Sequence, residues 1–128
     1  MNFTEAIQSG FNNYVNFSGR AQRSAFWFWV LFVFAASIVA GILDMAIFGA
    51  ESYTPLSTLF GLAVFLPGLA VAVRRLHDTG RTGWWVLLWL IPIIGWIVLI
   101  IWYCQPGEPG TNQYGANPLG GELQPIRP

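Results

Sequence analysis

Three long apolar stretches divide this chain, and they constrain its fold more than any other feature. They cover approximately residues 25–47, 56–73 and 84–104. A helix needs about 20 mostly apolar residues to cross the hydrocarbon core of a bilayer. The chain is 55% hydrophobic and 9% charged, whereas soluble domains carry about 25% charged residues. The pattern therefore predicts an all-α integral membrane bundle with three transmembrane helices.

A short amphipathic helix is expected before the first span, over residues 2–17. Its apolar side chains recur at helical spacing, and they are Phe3, Ile7, Phe11 and Tyr14. Asn2 and Glu5 have the spacing of a capping box, which starts many helices. Polar residues occupy the opposite face, so we expect this helix to lie on the membrane surface. Residues 1–118 then form one membrane domain, followed by an irregular polar tail over residues 119–128.

Prolines interrupt the second and third apolar stretches. Pro67 frees the backbone carbonyl of Ala63, which a neighbouring helix or a polar side chain must satisfy inside a bundle. Pro92 and Gly95 lie near the middle of the third stretch. That stretch is either one kinked span or a re-entrant hairpin with arms of about ten residues. Because each arm covers only about half of the hydrocarbon core, we expect one kinked span.

The positions of the arginines predict the orientation of the chain. Arg20 and Arg23 precede the first span, and residues 74–83 carry three more arginines between the second and third spans. Basic loops stay on the cytoplasmic side of a membrane. The N-terminus and the 74–83 segment are therefore expected in the cytoplasm. Three spans place the C-terminal tail outside, whereas a hairpin returns it to the inside.

Small residues predict where the first two spans pack. Lipid tails supply no hydrophobic drive between helices, so close packing relies on small side chains. The expected packing residues are Ser37, Gly41, Gly61 and Gly68. Asp44 lies near the far end of the first span and is the candidate polar group for transport. Three spans enclose no pore alone, so a transporter requires several copies of the chain.

The most polar interior stretch covers residues 74–83. In one interpretation its arginines fix the topology and Thr82 caps the third helix. In another, Arg75 and Arg81 form a fork for the phosphate of an anionic lipid headgroup. The candidate headgroup-binding residues are Arg74, Arg75, His77, Arg81 and Thr82. We favour the structural interpretation, because arginine flanks are the ordinary topology signal.

Catalysis, metal binding and nucleic-acid binding are not expected. His77 and Asp78 are adjacent, and no pair of nucleophile and base can be named. One histidine and one cysteine offer too few ligands for a zinc site. A net charge of zero argues against the broad basic surface that nucleic acid needs. We expect no cofactor. The expected partners are membrane lipids, and the chain could also form a homo-oligomer.

Several blocks of the sequence resemble a known family. Residues 17–24, followed by Phe26 and Trp27, resemble the opening of the YhaH-like small bacterial inner-membrane proteins, catalogued as domain of unknown function 805. Residues 74–85 are similar to the most characteristic block of that family, and residues 110–118 to its ending. The resemblance covers nearly the whole chain, so it implies a bacterial inner-membrane protein.

Two positions depart from the family pattern. Ala25 stands where the family often has an acidic residue, and Thr82 stands where it often has serine. The resemblance supplies no established activity, substrate or catalytic residue. We therefore expect a structural or interaction role, with a subunit of an oligomeric small transporter or channel as the alternative.

Overall fold

The computed structural model describes residues 2–49 and 54–118, which form helices joined by short connections. In chain order the elements are α1 (Phe3–Asn12), α2 (Arg23–Phe48), α3 (Pro55–Asp78), a 3₁₀ helix (Gly83–Leu90) and α4 (Ile94–Cys104). The all-α membrane bundle expected from the sequence is confirmed. The expected polar tail, residues 119–128, lies outside the described residues.

Helix α1 begins with the capping box that the sequence predicts. The Asn2 side chain accepts a hydrogen bond from the Glu5 amide at 2.8 Å, and the Glu5 carboxylate accepts one from the Asn2 amide at 2.9 Å. The helix ends at Asn12, before the expected end at residue 17. The backbone and side-chain amides of Asn13 both donate to the Ser9 carbonyl, which ends the helix because asparagine competes with regular helical bonding.

Helix α1 packs against α2 on one side and keeps apolar side chains exposed on another. The ring of Phe11 meets the ring of Trp29 edge to face, with centroids 5.2 Å apart. A side chain at Gly10 would collide with the same indole ring, so a glycine is needed at this crossing. Phe3 and Phe11 keep 39% and 44% of their surface exposed. An apolar face thus remains available to lipid.

Helices α2 and α3 form an antiparallel pair. Among the described residues they are the two helices long and apolar enough to cross a membrane, with 26 and 24 residues. At one end Asp44 of α2 contacts the first turn of α3. At the other end the Ala21 amide, just before α2, donates to the Arg74 carbonyl at 3.0 Å. We call this second end, which holds Arg23 and Asp78, the arginine end.

Residues 74–78 continue α3 as helix, although the second span was expected to end near residue 73. Basic side chains in a last turn are favourable because they face the negative end of the helix dipole. Gly80, with a φ of 80°, lets the Arg81 amide donate to the Leu76 carbonyl at 2.9 Å. The polar stretch of residues 74–83 is therefore half helix and half turn.

The third apolar stretch is a hairpin, which differs from the single kinked span that we expected. Its arms are the 3₁₀ helix and α4. The rings of Trp85 and Trp102 lie edge to face with centroids 5.5 Å apart. The indole N–H of Trp96 donates to the Trp89 carbonyl at 2.9 Å. The two arms therefore run side by side, and both ends of the stretch lie at the arginine end.

The turn of this hairpin explains why a continuous helix does not form. Pro92 has no amide hydrogen to donate, so the helical ladder stops there. Ile93 adopts a φ of 68°, in the left-handed region. A side chain at Gly95 would collide with the Leu88 carbonyl, so the chain reverses closely upon itself. The arms of a re-entrant hairpin do not have to cross the bilayer, so arms of about ten residues are long enough for this fold.

The core of the bundle gathers at the arginine end. Its most buried apolar residues, with exposed fractions below 8%, include Phe26, Trp29, Val71, Leu76, Leu99 and Tyr103. Farther along the helices, large apolar side chains point outward. Leu62 is 69% exposed and Leu90 is 78% exposed. A surface with so much exposed apolar area is typical of a protein that is solvated by lipid.

Candidate functional site

A buried ionic cluster lies where the end of α3 meets the chain on either side of it. The Asp78 carboxylate accepts from Arg20 Nε at 2.9 Å through one oxygen and from Arg75 Nη1 at 2.5 Å through the other. All three residues are at most 8% exposed. Each carboxylate oxygen thus has a cationic partner, which offsets the cost of burying the charges. We call Arg20, Arg75 and Asp78 the arginine cluster.

The remaining donors of the arginine cluster hold the segment that follows α4. Arg20 donates to the carbonyls of Gly110 at 2.6 Å and Glu108 at 2.5 Å. Arg75 donates to the carbonyls of Tyr103 and Gln105. The Glu108 amide also donates to the Asp78 carbonyl at 2.7 Å. Residues 105–118 are therefore fastened to the arginine end of the bundle.

A phosphate fork would require the guanidinium groups of Arg75 and Arg81 to face the same ligand. In the structure the two groups lie in different environments. Arg75 is fully buried and makes four hydrogen bonds within the protein. The Arg81 guanidinium instead lies 4.3 Å from the centre of the Trp102 ring, a cation–π contact. Burial lowers the pKa of Arg81, and the Glu108 carboxylate opposes that effect. Arg81 still keeps its charge at neutral pH.

His77 and Thr82 also have partners inside the protein. His77 Nδ1 lies 2.9 Å from the Gly19 carbonyl, so this nitrogen carries the proton, because a carbonyl only accepts. The imidazole stacks on the Tyr114 ring with centroids 4.0 Å apart. The Thr82 hydroxyl accepts from the Trp84 amide at 3.5 Å, at the start of the 3₁₀ helix. Both side chains hold neighbouring segments together.

Arg74 differs from the other candidate residues because two of its guanidinium nitrogens are buried without a partner among the described residues. The residue is 5% exposed, and its Nε and Nη2 form no hydrogen bond within residues 2–49 and 54–118. Helical spacing places it on the same face of α3 as Ala63, Pro67 and Ala70. The connection before α2 passes beside it, since its carbonyl accepts from Ala21. A buried cation without a partner is strongly unfavourable, so this position calls for an anion or a polar group.

Asp44 caps the start of α3 from the neighbouring helix. It is 1% exposed, and its two oxygens accept from the amides of Leu56 and Ser57, each at 2.9 Å. Thr54, at the cap position itself, makes no side-chain cap bond. A carboxylate at the positive end of a helix dipole is favourable. The candidate polar group of the transporter alternative therefore holds α2 and α3 together.

An apolar groove runs between α2 and α3, and the 3₁₀ helix closes one side of it through Val86 and Trp89. Its cavity volume is about 690 Å³. Three of the four expected packing residues line it, namely Ser37, Gly61 and Gly68. The fourth, Gly41, faces the Ser57 hydroxyl of α3. Nothing lies within 4 Å of the place where a side chain would start at Gly61. The small residues thus open a groove over part of this interface.

Over the part of the chain that the structure describes, no three histidine, cysteine or acidic side chains gather where they could hold a metal ion. Cys104 is a free, exposed cysteine at the end of α4.

Comparison with known proteins places these residues in context. The family described as protein of unknown function (DUF805) matches residues 14–116, which include residues 17–24 and 74–85. Inner membrane protein YhaH of Escherichia coli (strain K12) is 46% identical over 110 residues, covering 83% of this chain and 89% of that protein. Inner membrane protein YhaI of the same strain is 48% identical over 111 residues, covering 85% and 91%. Uncharacterized protein YiiR of that strain is 36% identical over 94 residues, covering 72% and 60%. No solved structure matches the chain.

Proposed function

This chain belongs to the family described as protein of unknown function (DUF805), and from that premise we propose that it is a multi-pass structural or interaction protein of the inner membrane that holds an anionic lipid headgroup at Arg74. Two relatives carry the name inner membrane protein. The long apolar helices α2 and α3 support the same location. The partner in this proposal is a lipid that carries a negative phosphate.

The observation that carries the proposal lies at the guanidinium of Arg74. Two of its nitrogens are buried without a hydrogen bond to a described residue. In this proposal the residues that cover these nitrogens move aside for a phosphate, which supplies the negative charge and accepts bidentate hydrogen bonds, the geometry that arginine favours. Basic pockets between helices on the cytoplasmic side commonly bind such headgroups. Arg75 plays a different role here, because the arginine cluster already uses its donors.

The orientation in this proposal follows from the arginines. Arg20, Arg23 and the three arginines of residues 74–83 belong to one end of the bundle, which supports a cytoplasmic position for that end. The segment after α4 returns to the same end, where it accepts hydrogen bonds from Arg20. Residues 105–118 are therefore cytoplasmic as well in this proposal, together with the N-terminus.

Native mass spectrometry of the full chain with defined lipids tests the headgroup site. The wild type should retain phosphatidylglycerol in preference to phosphatidylcholine. Arg74→Gln should reduce that preference about tenfold, since a hydrogen bond to a charged group contributes about 1.5–3 kcal/mol. Arg81→Gln is the matched control, and it should leave most of the preference intact because Arg81 rests on Trp102. An unchanged preference in Arg74→Gln would contradict the proposal.

A further inference from the structure

The apolar groove between α2 and α3 has the dimensions of a site for one extended chain. On α3 its wall runs from Gly61 to Ala72, a length of about 16 Å at the helical rise. Gly61, at one end of this wall, has no side chain, and nothing lies within 4 Å of the place where one would start. The lining is mostly apolar, which suits a row of methylene groups.

An indole N–H lies at this groove near the arginine end, on a residue that is otherwise buried. Trp29 is 2% exposed and belongs to the groove wall. Its indole nitrogen lies 3.6 Å from the place where a side chain would start at Gly68. Trp27 and Trp96 donate their indole hydrogens to backbone carbonyls, but Trp29 donates to no described residue. An indole N–H in such a place needs an acceptor from the occupant.

A cation stands at the mouth of the groove, on the same face of α2. Arg23, Phe26, Val30, Val33 and Ser37 follow each other at intervals of three and four residues, so they form one stripe. The last four line the groove, whereas Arg23 is exposed beyond it. Among the described residues, the Arg23 guanidinium makes one hydrogen bond, to the Cys104 carbonyl at 3.1 Å. Its other donors are available to a phosphate.

The order in which these groups occur along the groove matches the order of the chemical groups in a glycerophospholipid. Arg23 lies at the mouth, the backbone of Trp29 lies about 9 Å farther along the helix axis, and an apolar wall follows. This order of cation, N–H donor and apolar surface corresponds to phosphate, ester carbonyl and acyl chain. We propose that the groove binds one acyl chain of a diacyl glycerophospholipid, with the Trp29 indole donating to its ester carbonyl and Arg23 contacting its phosphate.

A helix from a second copy of the chain fits this groove less well. An α-helix with its side chains is about 10 Å wide, whereas an extended hydrocarbon chain is much thinner and carries no hydrogen-bonding groups along its length. The backbone carbonyls of a helix also accept hydrogen bonds within the helix, so a helix offers the Trp29 indole no free acceptor.

Filling the groove tests this inference. Gly61→Leu places apolar atoms where the acyl chain should lie, and the open space at Gly61 accommodates them. Ala35→Leu places a leucine on an exposed part of α2 outside the groove and adds one carbon fewer than Gly61→Leu. In native mass spectrometry with phosphatidylcholine, Gly61→Leu should retain about tenfold less lipid, the effect of excluding roughly two methylenes. Ala35→Leu should behave as the wild type.

The ester contact has its own test in the wild-type fold. The wild type should retain diester phosphatidylcholine better than its diether analogue, and Trp29→Phe should remove that preference. Equal retention of both lipids by the wild type, or full retention by Gly61→Leu, would overturn the inference. The inference would also be overturned if the wild type is a dimer and Gly61→Leu makes it a monomer that retains its lipid, because a second copy would then occupy the groove. Because these assays use a neutral headgroup, failure of the Arg74 proposal leaves their result unaffected.

Discussion

The hydroxyl of Tyr14 donates a hydrogen bond to the backbone carbonyl of Ala63, a residue 49 positions away. Pro67, four residues after Ala63, has no amide hydrogen to give that carbonyl. The connection that follows α1 therefore satisfies the acceptor that the proline leaves open in α3. This contact ties the N-terminal segment to the middle of a membrane-spanning helix.

Tyr14→Phe should destabilise the protein by about 1–3 kcal/mol, because it leaves a carbonyl in apolar surroundings without a donor. The change should lower the midpoint of thermal unfolding in detergent micelles. Tyr114→Phe is a matched control, since the Tyr114 ring stacks on His77 while its hydroxyl donates to no described residue. Equal midpoints for the two variants would show that the Tyr14 contact does not contribute.

Local features of the sequence were sufficient to predict several elements. The spacing of Asn2 and Glu5 predicted the start of α1, and the position of Pro67 predicted which carbonyl needs a donor. These inferences depend on residues a few positions apart, whose geometry the helix itself determines. The two apolar stretches that became α2 and α3 were equally clear, because length and composition decide whether a helix can cross a bilayer.

Long-range contacts account for what the sequence could not predict. Arg20 and Asp78 are separated by 58 positions, and nothing local shows that they form an ion pair. Arg74 and Arg75 are adjacent in the sequence, yet the Arg74 side chain has two nitrogens without a partner among the described residues, whereas the Arg75 side chain makes four hydrogen bonds. The difference arises because adjacent helical residues project about 100° apart. The similarity of residues 17–24 and 74–85 to family blocks was the available signal.

The arginine cluster should be the most sensitive part of the fold. Asp78→Asn removes the anion between Arg20 and Arg75 and leaves two buried cations, which should cost about 3–5 kcal/mol. Glu108→Gln is the control, because this exposed side chain should change stability by less than about 1 kcal/mol. Chemical unfolding in micelles, followed by circular dichroism, measures both. A small effect of Asp78→Asn would contradict the role assigned to the cluster.

Asp44 should act as a helix cap. Asp44→Ala should destabilise the protein by about 1–2 kcal/mol, the usual effect of losing a cap. Asp44→Asn should cost less, because its amide oxygen still accepts from one α3 backbone amide. Unfolding measurements on both variants test this order. A liposome flux that is present in the wild type and abolished by Asp44→Asn, with unchanged stability, would favour the transport alternative.

The proposals at Arg74 and in the groove both depend on the hairpin that returns residues 105–118 to the arginine end. Cysteine accessibility in membranes tests this most directly, with Ser18→Cys and Thr111→Cys each placed in a Cys104→Ala background. Both positions are exposed and lie at the arginine end. A membrane-impermeant maleimide should label both cysteines in inside-out vesicles and neither in intact spheroplasts. Labelling of the two cysteines from opposite sides of the membrane would contradict the hairpin.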